Sequence, residues 1–323
     1  LQDRQPRVVG VHRSGELVQF VEPGQLGRLV RRHVDVGLDI QLVVNGFGFL
    51  QQQHRLMLIP LDRSAGELGA EIGVFGGSGF YDFLDDAVDV TPHTPYGPPA
   101  SPVRVGTLAG RRVAFVARHG RGHEYAAHRV PFQANVWAMA AMGVRSIVAP
   151  CSVGSLQPDL HPGDFVVIDQ LVDRTKARPD SFHDVGSDDG MPGSDGPVHH
   201  EAFAEPYDAD IRAALVAAGA ELPDVTVHDG GTRVVIQGPR FSTRAESLWF
   251  RQMGWHVVNM TGYPEAVLAA EANIRYAAVA LVTDYDAGVD GHEPVTLEAV
   301  MAMMKANVGN VRRLIETALP TLP

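Results

Sequence analysis

Two aspartates follow an apolar run, in the sequence Thr283-Asp284-Tyr285-Asp286. The run before them, residues 277–282, predicts a β-strand. Because side chains two positions apart face the same side of an extended chain, we expect Asp284 and Asp286 to point together. Two neighbouring carboxyls can bind a nitrogen heterocycle, and one raises the pKa of the other until it can donate a proton. A helix N-cap and a metal site are the alternative interpretations.

A glycine-rich turn, Gly76-Gly77-Ser78-Gly79, follows a predicted strand at residues 71–75. Missing side chains let backbone N–H groups and the Ser78 hydroxyl approach an oxyanion closely. The spacing is neither the dinucleotide fingerprint nor the P-loop, and many such turns are purely structural.

Two further segments are candidates for anion binding. Residues 117–123 follow a predicted strand and contain Arg118 and His119, and arginine can bind phosphate through two hydrogen bonds. By itself this segment is more typical of a solvated basic turn. Residues 149–155 are interpreted as a third turn after a strand, with Cys151 and Ser152 as small hydrogen-bond donors. Together the three segments favour phosphate binding.

Alternating strand and helix patterns must position these residues. The alternation predicts an α/β fold, a single domain with a central mixed, mostly parallel β-sheet flanked by helices. Open α/β sheets bind ligands where strands end. Strands are predicted at 71–75, 112–117, 147–149, 165–168, 234–236, 257–258 and 277–282, and helices near 133–142 and 295–319.

The pattern begins only near residue 71. Residues 1–70 show no sustained periodicity, and we interpret them as an N-terminal extension, either poorly ordered or the result of a start site placed too far upstream. Residues 71–323 are predicted to form the one domain. A stretch rich in Gly, Asp, Ser and Pro at 178–197 predicts a mobile loop.

Composition excludes several classes of function. The 323 residues carry a net charge of −11 without a long basic block, so nucleic acid is not expected as a partner. The sequence shows neither a run of about 20 apolar residues nor a signal-peptide pattern, and we expect a cytoplasmic protein without membrane contact. Cys151 is the only cysteine, and the histidines are scattered, so no metal site is predicted.

From residue 72 to its end the chain resembles the trimeric purine nucleoside phosphorylases, most closely the 5′-methylthioadenosine phosphorylase branch. The resemblance implies the α/β fold of that family and a homotrimer with sites at the subunit interfaces. It rests on five motifs in the family's order: Gly76-Gly77-Ser78-Gly79, Arg118-His119-Gly120, Gly238-Pro239-Arg240-Phe241-Ser242, Asn259-Met260-Thr261 with Pro264-Glu265, and Thr283-Asp284-Tyr285-Asp286.

The resemblance implies a role for each matching residue. Asp284 would be the catalytic acid at purine N7, next to Thr283 in the substrate site, and Asp286 would accept from the exocyclic amine. Phosphate would be held by Ser78, Arg118, His119, Cys151, Ser152 and Thr261. The other implied contacts are Met260 with the ribose, Phe241 with the purine, Ser242 and Leu297 with the groups that set substrate preference, and His200 with the 5′ pocket of a neighbouring subunit.

The implied reaction is phosphorolysis of 5′-methylthioadenosine to adenine and 5-methylthioribose 1-phosphate. It needs no cofactor, because inorganic phosphate is the co-substrate. An ionised Asp286 favours a 6-amino group, which donates, over a 6-oxo group, which accepts. Cys151 and the pair Gly262-Tyr263 depart from the Thr and Thr-Val of animal members, and the chain stops at Pro323, where many relatives continue into a tail that helps close the 5′ pocket.

Three alternatives stay open. A 6-oxopurine nucleoside or methylthioinosine phosphorylase would use the same fold and mechanism. A nucleoside hydrolase would cleave the same bond with water, and phosphate dependence separates the two. A non-catalytic purine-binding protein would keep Asp284 and Asp286 without turnover.

Overall fold

The computed structural model describes residues 68–77, 84–183, 200–288 and 291–323. Ser78, most of the predicted extension (1–67) and most of the predicted mobile loop (184–199) lie outside the described residues. The strands are β1 (Ile72–Gly76), β2 (Asp85–Val90), β3 (Val103–Leu108), β4 (Arg111–Ala117), β5 (Ser146–Ser155), β6 (Phe165–Val167), β7 (Gln170–Arg174), β8 (Val227–Asp229), β9 (Thr232–Ile236), β10 (Val257–Asn259) and β11 (Arg275–Asp284). The helices are α1 (Phe132–Ala141), α2 (Ala209–Ala220), α3 (Arg244–Gln252), α4 (Gly262–Glu271) and α5 (Leu297–Ala318), with short 3₁₀ helices at Ala127–Arg129 and Leu319–Thr321.

The described strands form one mixed sheet, as the sequence predicts. Eight of them follow the order β2-β3-β4-β1-β5-β10-β9-β7, while β11 pairs with β5 and β6, and β8 with β6. Six of these pairings are parallel and four are antiparallel. The prediction of a mostly parallel sheet is therefore confirmed.

Strand β5 lies at the centre of this arrangement. It runs parallel to β1 and β11 but antiparallel to β10, whose Val258 pairs with Gly154. Because β10 approaches from the opposite direction, the residues that follow it come to lie beside the middle of β5. Residues at the ends of β10 and β11 therefore lie close to the same part of β5.

Helices cover both faces of the sheet. One apolar cluster contains Trp137 and Met139 of α1 and Leu268 of α4, and the other contains Leu215 of α2 and Leu314 of α5. Each fully buried large apolar side chain contributes about 1.5–3 kcal/mol through removal from water. The predicted C-terminal helix is confirmed as α5, which buries Met304, Val311 and Ile315 at the helical spacing read from the sequence.

The motif Gly238-Pro239-Arg240-Phe241-Ser242 leads directly into a helix. Thr243 caps α3 by accepting from the N–H of Glu246, whose carboxylate in turn accepts from the N–H of Thr243. The guanidinium of Arg240 donates to both oxygens of Glu246 at 2.7 Å. These residues therefore fix where α3 begins.

One predicted turn is wrong. Residues 149–155 belong to β5, which continues to Ser155 because β11 pairs with it through Gly154 and β10 pairs with its last residues. The strand is longer than its apolar run because both of its edges are hydrogen-bonded. In the part of the chain described, no helix is long and apolar enough to cross a membrane.

Candidate active site

Arg118 follows β4 and forms a buried ion pair. Its Nε donates to Oε2 of Glu265 at 2.6 Å, and its Nη2 donates to Oε1 at 2.8 Å. Nη1 donates to the carbonyl of Pro150 on β5 at 3.3 Å. Tyr276 supports the carboxylate by donating to Oε1 at 2.7 Å. Since a guanidinium has five N–H groups, two remain without a partner among the described residues and can donate to an anion.

His119, the next residue, is a neutral imidazole. Its Nδ1 lies 2.8 Å from the carbonyl oxygen of Tyr125, and because a carbonyl only accepts, the proton is on Nδ1. The pKa of His119 is lowered to about 4, chiefly by burial and to a smaller extent by the charge of Arg118. The ring stacks on His123 with centroids 4.5 Å apart. At neutral pH Nε2 is thus an acceptor for a protonated oxygen, such as that of hydrogen phosphate.

Thr261 lies beside β5, as expected from the antiparallel approach of β10. The side chain of Asn259 joins the two: its Nδ2 donates to the carbonyl of Ser152 at 3.4 Å and to Oγ1 of Thr261 at 3.3 Å. Its Oδ1 accepts from the N–H of Thr261 at 2.9 Å. Because Oγ1 of Thr261 accepts from Asn259, its own proton is available for another acceptor. Ser152 and Thr261 are therefore brought together, with Cys151 next to Ser152.

The two aspartates are close, but not in the way predicted. Strand β11 ends at Asp284, and Asp286 adopts a φ of +47°, in the left-handed region that Asp tolerates. The extended geometry expected from the sequence is wrong, because the N–H of Asp286 turns back to donate to Oδ1 of Asp284 at 2.8 Å. A Cβ at Gly154 would lie 2.9 Å from that oxygen, so only glycine lets β5 approach this turn.

Asp284 has the properties of an acid. Burial raises its pKa to about 6, and the charge of Asp286 adds to the rise, while hydrogen bonds from Thr283 and from the N–H of Asp286 oppose it. The Thr283 hydroxyl lies 2.7 Å from Oδ2 of Asp284 and 3.1 Å from the carbonyl oxygen of Val153. About a tenth of this carboxyl is therefore protonated at pH 7, far more than for an ordinary aspartate.

Asp286 is surrounded by polar atoms without hydrogen-bond partners. It is 3% exposed, and among the described residues its Oδ2 has no partner within hydrogen-bonding geometry. The buried hydroxyls of Ser242 and Ser247 also lack one, although they lie near enough to moderate the rise that burial produces in the pKa of Asp286. Buried polar groups are normally paired, so these three atoms, which lie close to one another, have hydrogen-bonding capacity that polar atoms of a ligand can use. Ser247 was missed, because a serine inside a helix gives no sequence signal.

Met260 is held in place by features that only the structure reveals. A Cβ at Gly238, whose φ is +64°, would lie 2.7 Å from Sδ of Met260, so this glycine is required by both space and conformation. Arg178 donates to the carbonyls of Met260 at 2.9 Å and Tyr263 at 2.5 Å. Burial lowers the pKa of Arg178 to about 10. It was missed because it lies more than 50 residues from the carbonyls it binds.

Three of the residues predicted for the site are exposed in the single chain. Phe241 is 36% exposed and Leu297 is 59% exposed, and His200 is also exposed. No hydrogen bond described for the covered ranges joins His200 to the aspartates or to Arg118. The roles of all three stay predictions, as does that of Ser78.

No metal-binding group is found in the described part of the chain, where no three His, Cys, Asp or Glu side chains come together in a way that could hold an ion. The expectation that no metal or cofactor takes part stays a prediction. Among the described residues, Arg118, His119 and Thr261 offer hydrogen-bonding groups suited to an anion, and Asp284 with Asp286 forms a buried pair of carboxyls.

The mixed α/β sheet and the buried polar groups at its strand ends are together typical of an α/β enzyme. The model of the Phosphorylase superfamily matches residues 71–320, and the chain belongs to this family. It is 51% identical over 252 residues to an S-methyl-5′-thioadenosine phosphorylase of Mycobacterium tuberculosis, covering 78% of this chain and 89% of that protein. It is 49% identical over 264 residues to a purine nucleoside phosphorylase of Streptomyces coelicolor, covering 80% and 91%.

Solved structures agree with the sequence relatives. Methylthioadenosine phosphorylase from Schistosoma mansoni in complex with adenine is 35% identical, with a TM-score of 0.72 over 78% of this chain and 91% of that one. An enzyme of the same name from an Antarctic soil metagenomic library is 39% identical, with a TM-score of 0.71. The fold predicted from the motifs is thus confirmed.

Proposed function

We propose that the chain catalyses phosphorolysis of 5′-methylthioadenosine, releasing adenine and 5-methylthioribose 1-phosphate. The pair of aspartates carries the proposal. Asp284 has a pKa raised to about 6 and can donate a proton, while Oδ2 of Asp286 is a buried acceptor without a partner among the described residues. A donor beside an acceptor matches N7 and the 6-amino group of adenine. Relatives named for methylthioadenosine support this choice of substrate.

The opposite end of the site suits inorganic phosphate. Arg118 has two N–H groups to donate, Thr261 has its hydroxyl proton, and the neutral His119 accepts at Nε2. Hydrogen phosphate presents both acceptors and one donor, and so can satisfy all three residues. Ser78, Cys151 and Ser152 complete the proposed phosphate site.

The reaction needs charge stabilisation at both ends. A bond forms between C1′ and a phosphate oxygen as the bond between C1′ and N9 breaks, and the electron pair of the broken bond moves onto the purine. Asp284 donates its proton to N7, so adenine leaves as a neutral molecule. Overall the proton lost by hydrogen phosphate equals the one gained by adenine. General acid catalysis of this kind contributes about 10²–10⁴-fold, and holding both reactants together removes further entropic cost.

Substrate preference follows from Asp286 and its neighbours. When ionised it accepts from a 6-amino group, whereas a 6-oxo group would place two acceptors against each other. In the proposal Ser242, Phe241 and Met260 contact the nucleoside, and Leu297 with His200 from a neighbouring subunit contact the 5′ group. An apolar 5′ pocket favours methylthio over hydroxyl by about 1–3 kcal/mol.

A 6-oxopurine nucleoside phosphorylase is the second candidate. One of the similar relatives is named purine nucleoside phosphorylase, and the phosphate end and Asp284 would work in the same way for hypoxanthine. The raised pKa of Asp286, caused first by burial, bears on this choice, because a protonated Asp286 could donate to a 6-oxo group.

We also propose that residues 71–323 act as one catalytic domain in a homotrimer with sites at subunit interfaces. Large apolar side chains on and near α3, namely Phe241, Leu248, Trp249 and Met253, are 36–55% exposed in the single chain, which supports contacts between subunits. The cytoplasmic location expected from the sequence stays a prediction. Analytical ultracentrifugation tests the trimer.

The experiment for the function is a matrix of nucleosides and phosphate. The purified full chain is incubated with methylthioadenosine, adenosine, inosine and methylthioinosine, each with and without phosphate, and base release is followed. We expect release of adenine from methylthioadenosine only with phosphate. Preference for the inosine compounds would select the second candidate, and turnover without phosphate would place the protein among the hydrolases.

A further inference from the structure

Arg233 on β9 is a buried cation without a carboxylate partner. Its side chain is almost fully buried, with the residue 1% exposed. Nη2 donates to the hydroxyl of Tyr207 at 2.6 Å and Nη1 to Sγ of Cys151 at 3.4 Å, while Nε has no partner among the described residues. Within those residues Arg233 forms no ion pair with a carboxylate. A buried charge in this state costs several kcal/mol, and such violations of packing rules are expected at functional sites.

The guanidinium lies against two positions of the proposed phosphate site. One is Cys151, to which it donates. The other is the backbone after Thr261, because a Cβ at Gly262 would lie only 2.2 Å from Cζ of Arg233. The absence of a side chain at Gly262 gives the guanidinium room.

The charge balance of the site gives Arg233 a role. Arg118 is neutralised by Glu265, with which it shares two hydrogen bonds, and His119 is a neutral imidazole. A phosphate dianion therefore enters a buried site whose nearest guanidinium is already paired. The charge of Glu265 acts on Arg233 as well as on Arg118, so one carboxylate faces two guanidiniums, and the second guanidinium can offset the charge of a bound anion.

We propose that Arg233 is a positioning residue for the phosphate co-substrate: through Cys151 and the backbone at Gly262 it supplies the positive charge that sets the affinity of the site for phosphate. This inference rests on the proposed phosphorolysis. The competing explanation is that Arg233 is structural and serves to hold the hydroxyl of Tyr207.

The test compares three variants of the full chain. Arg233→Gln removes the charge, Arg233→Lys keeps it, and Tyr207→Phe keeps it while removing the hydroxyl partner. Initial rates are measured first with the phosphate concentration varied at fixed methylthioadenosine, and then with the methylthioadenosine concentration varied at fixed phosphate. We expect R233Q to raise the KM for phosphate at least about tenfold while the KM for the nucleoside changes less than about threefold. R233K and Y207F should keep the KM for phosphate within about threefold of the wild type.

Several results would overturn the inference. They are an unchanged phosphate KM in R233Q, equal increases in R233Q and R233K, or an increase in Y207F as large as that in R233Q. If R233Q does not fold, Arg233→Met takes its place, because the apolar side chain fills similar space without a charge. The same selective rise in phosphate KM is then expected, and no rise rejects the role.

The wild-type control separates this inference from the function. A wild type that releases adenine without phosphate would reject the proposed phosphorolysis itself. A wild type that requires phosphate, together with an unaffected R233Q, would reject only the role of Arg233.

Discussion

The backbone N–H of Asp286 donates to Oδ1 of Asp284 at 2.8 Å, so the first carboxyl orients the residue that carries the second. The hydroxyl of Thr283 lies 2.7 Å from the other oxygen, Oδ2. Asp284 is therefore fixed at both oxygens, whereas Oδ2 of Asp286 has no partner among the described residues. In the proposed function this difference separates proton donation by Asp284 from recognition of the purine by Asp286.

Asp284→Ala should lower kcat for methylthioadenosine about 10²–10⁴-fold, because the general acid is lost. The KM for phosphate should change little. The control is methylthioadenosine methylated at N7, whose leaving group is already cationic and needs no proton. We expect D284A to cleave this compound within about tenfold of the wild-type rate. An equal loss on both substrates would show that Asp284 does not act by protonating N7.

Asp286→Asn should shift preference toward 6-oxopurines, because the amide can donate to a 6-oxo group. We expect the ratio of kcat/KM for methylthioadenosine to that for methylthioinosine to fall at least about tenfold, the size of one lost charged hydrogen bond. Steady-state kinetics with both nucleosides measure this ratio. If the variant keeps the wild-type ratio, Asp286 does not recognise the group at position 6 of the purine.

Asp284 should also make stability depend on pH. Its pKa is about 6 in the folded state, against 3.8 for an ordinary aspartate. Above pH 6 the carboxyl is ionised in both states, and burial disfavours the ionised form only in the folded state, so Asp284 destabilises the fold there. As the pH falls through about 6, the folded state takes up its proton first and this destabilisation is progressively relieved until the unfolded carboxyl is protonated as well.

Asp284→Asn should therefore be more stable than the wild type at pH 7–8, by an amount on the order of 1 kcal/mol. The difference should shrink as the pH approaches 4. Urea unfolding at a series of pH values measures it. A variant that is less stable than the wild type at pH 8 would contradict the assigned direction of the pKa shift.

Glu265→Gln should destabilise the fold by about 3–5 kcal/mol, because the buried guanidinium of Arg118 loses its counter-ion. The pair is 2% and 1% exposed. Asp224→Asn is the matched control, since Asp224 forms a similar pair with Arg313 at 2.7 Å on the surface and should leave the urea midpoint nearly unchanged. Equal effects of the two substitutions would show that burial is not what makes the Arg118 pair important.

The sequence identifies elements and strand ends well, because apolar runs and their flanking polar residues are local. It correctly predicts β1, β4 and α5, and places Arg118 and His119 after a strand. It does not reveal that β10 opposes β5, because pairing direction depends on the whole chain. For the same reason residues 149–155 were interpreted as a turn.

Residues that act through distant contacts are the ones missed. Arg233 lies 82 residues from Cys151, and Arg178 binds carbonyls beyond residue 235. Ser247 cannot be identified from its position in a helix, because its relevance comes from its proximity to Asp286 in the fold. The position of Asp286 itself depends on a left-handed backbone conformation. The alternation of side chains along a strand does not predict such a conformation.

The proposed phosphorolysis is tested most directly by ³¹P NMR of the purified chain with methylthioadenosine and inorganic phosphate. We expect the phosphate signal to decline as adenine is released, with an equal amount of a sugar 1-phosphate signal appearing. Adenine release with the phosphate signal unchanged would contradict the account, because the bond at C1′ would then have been broken by water.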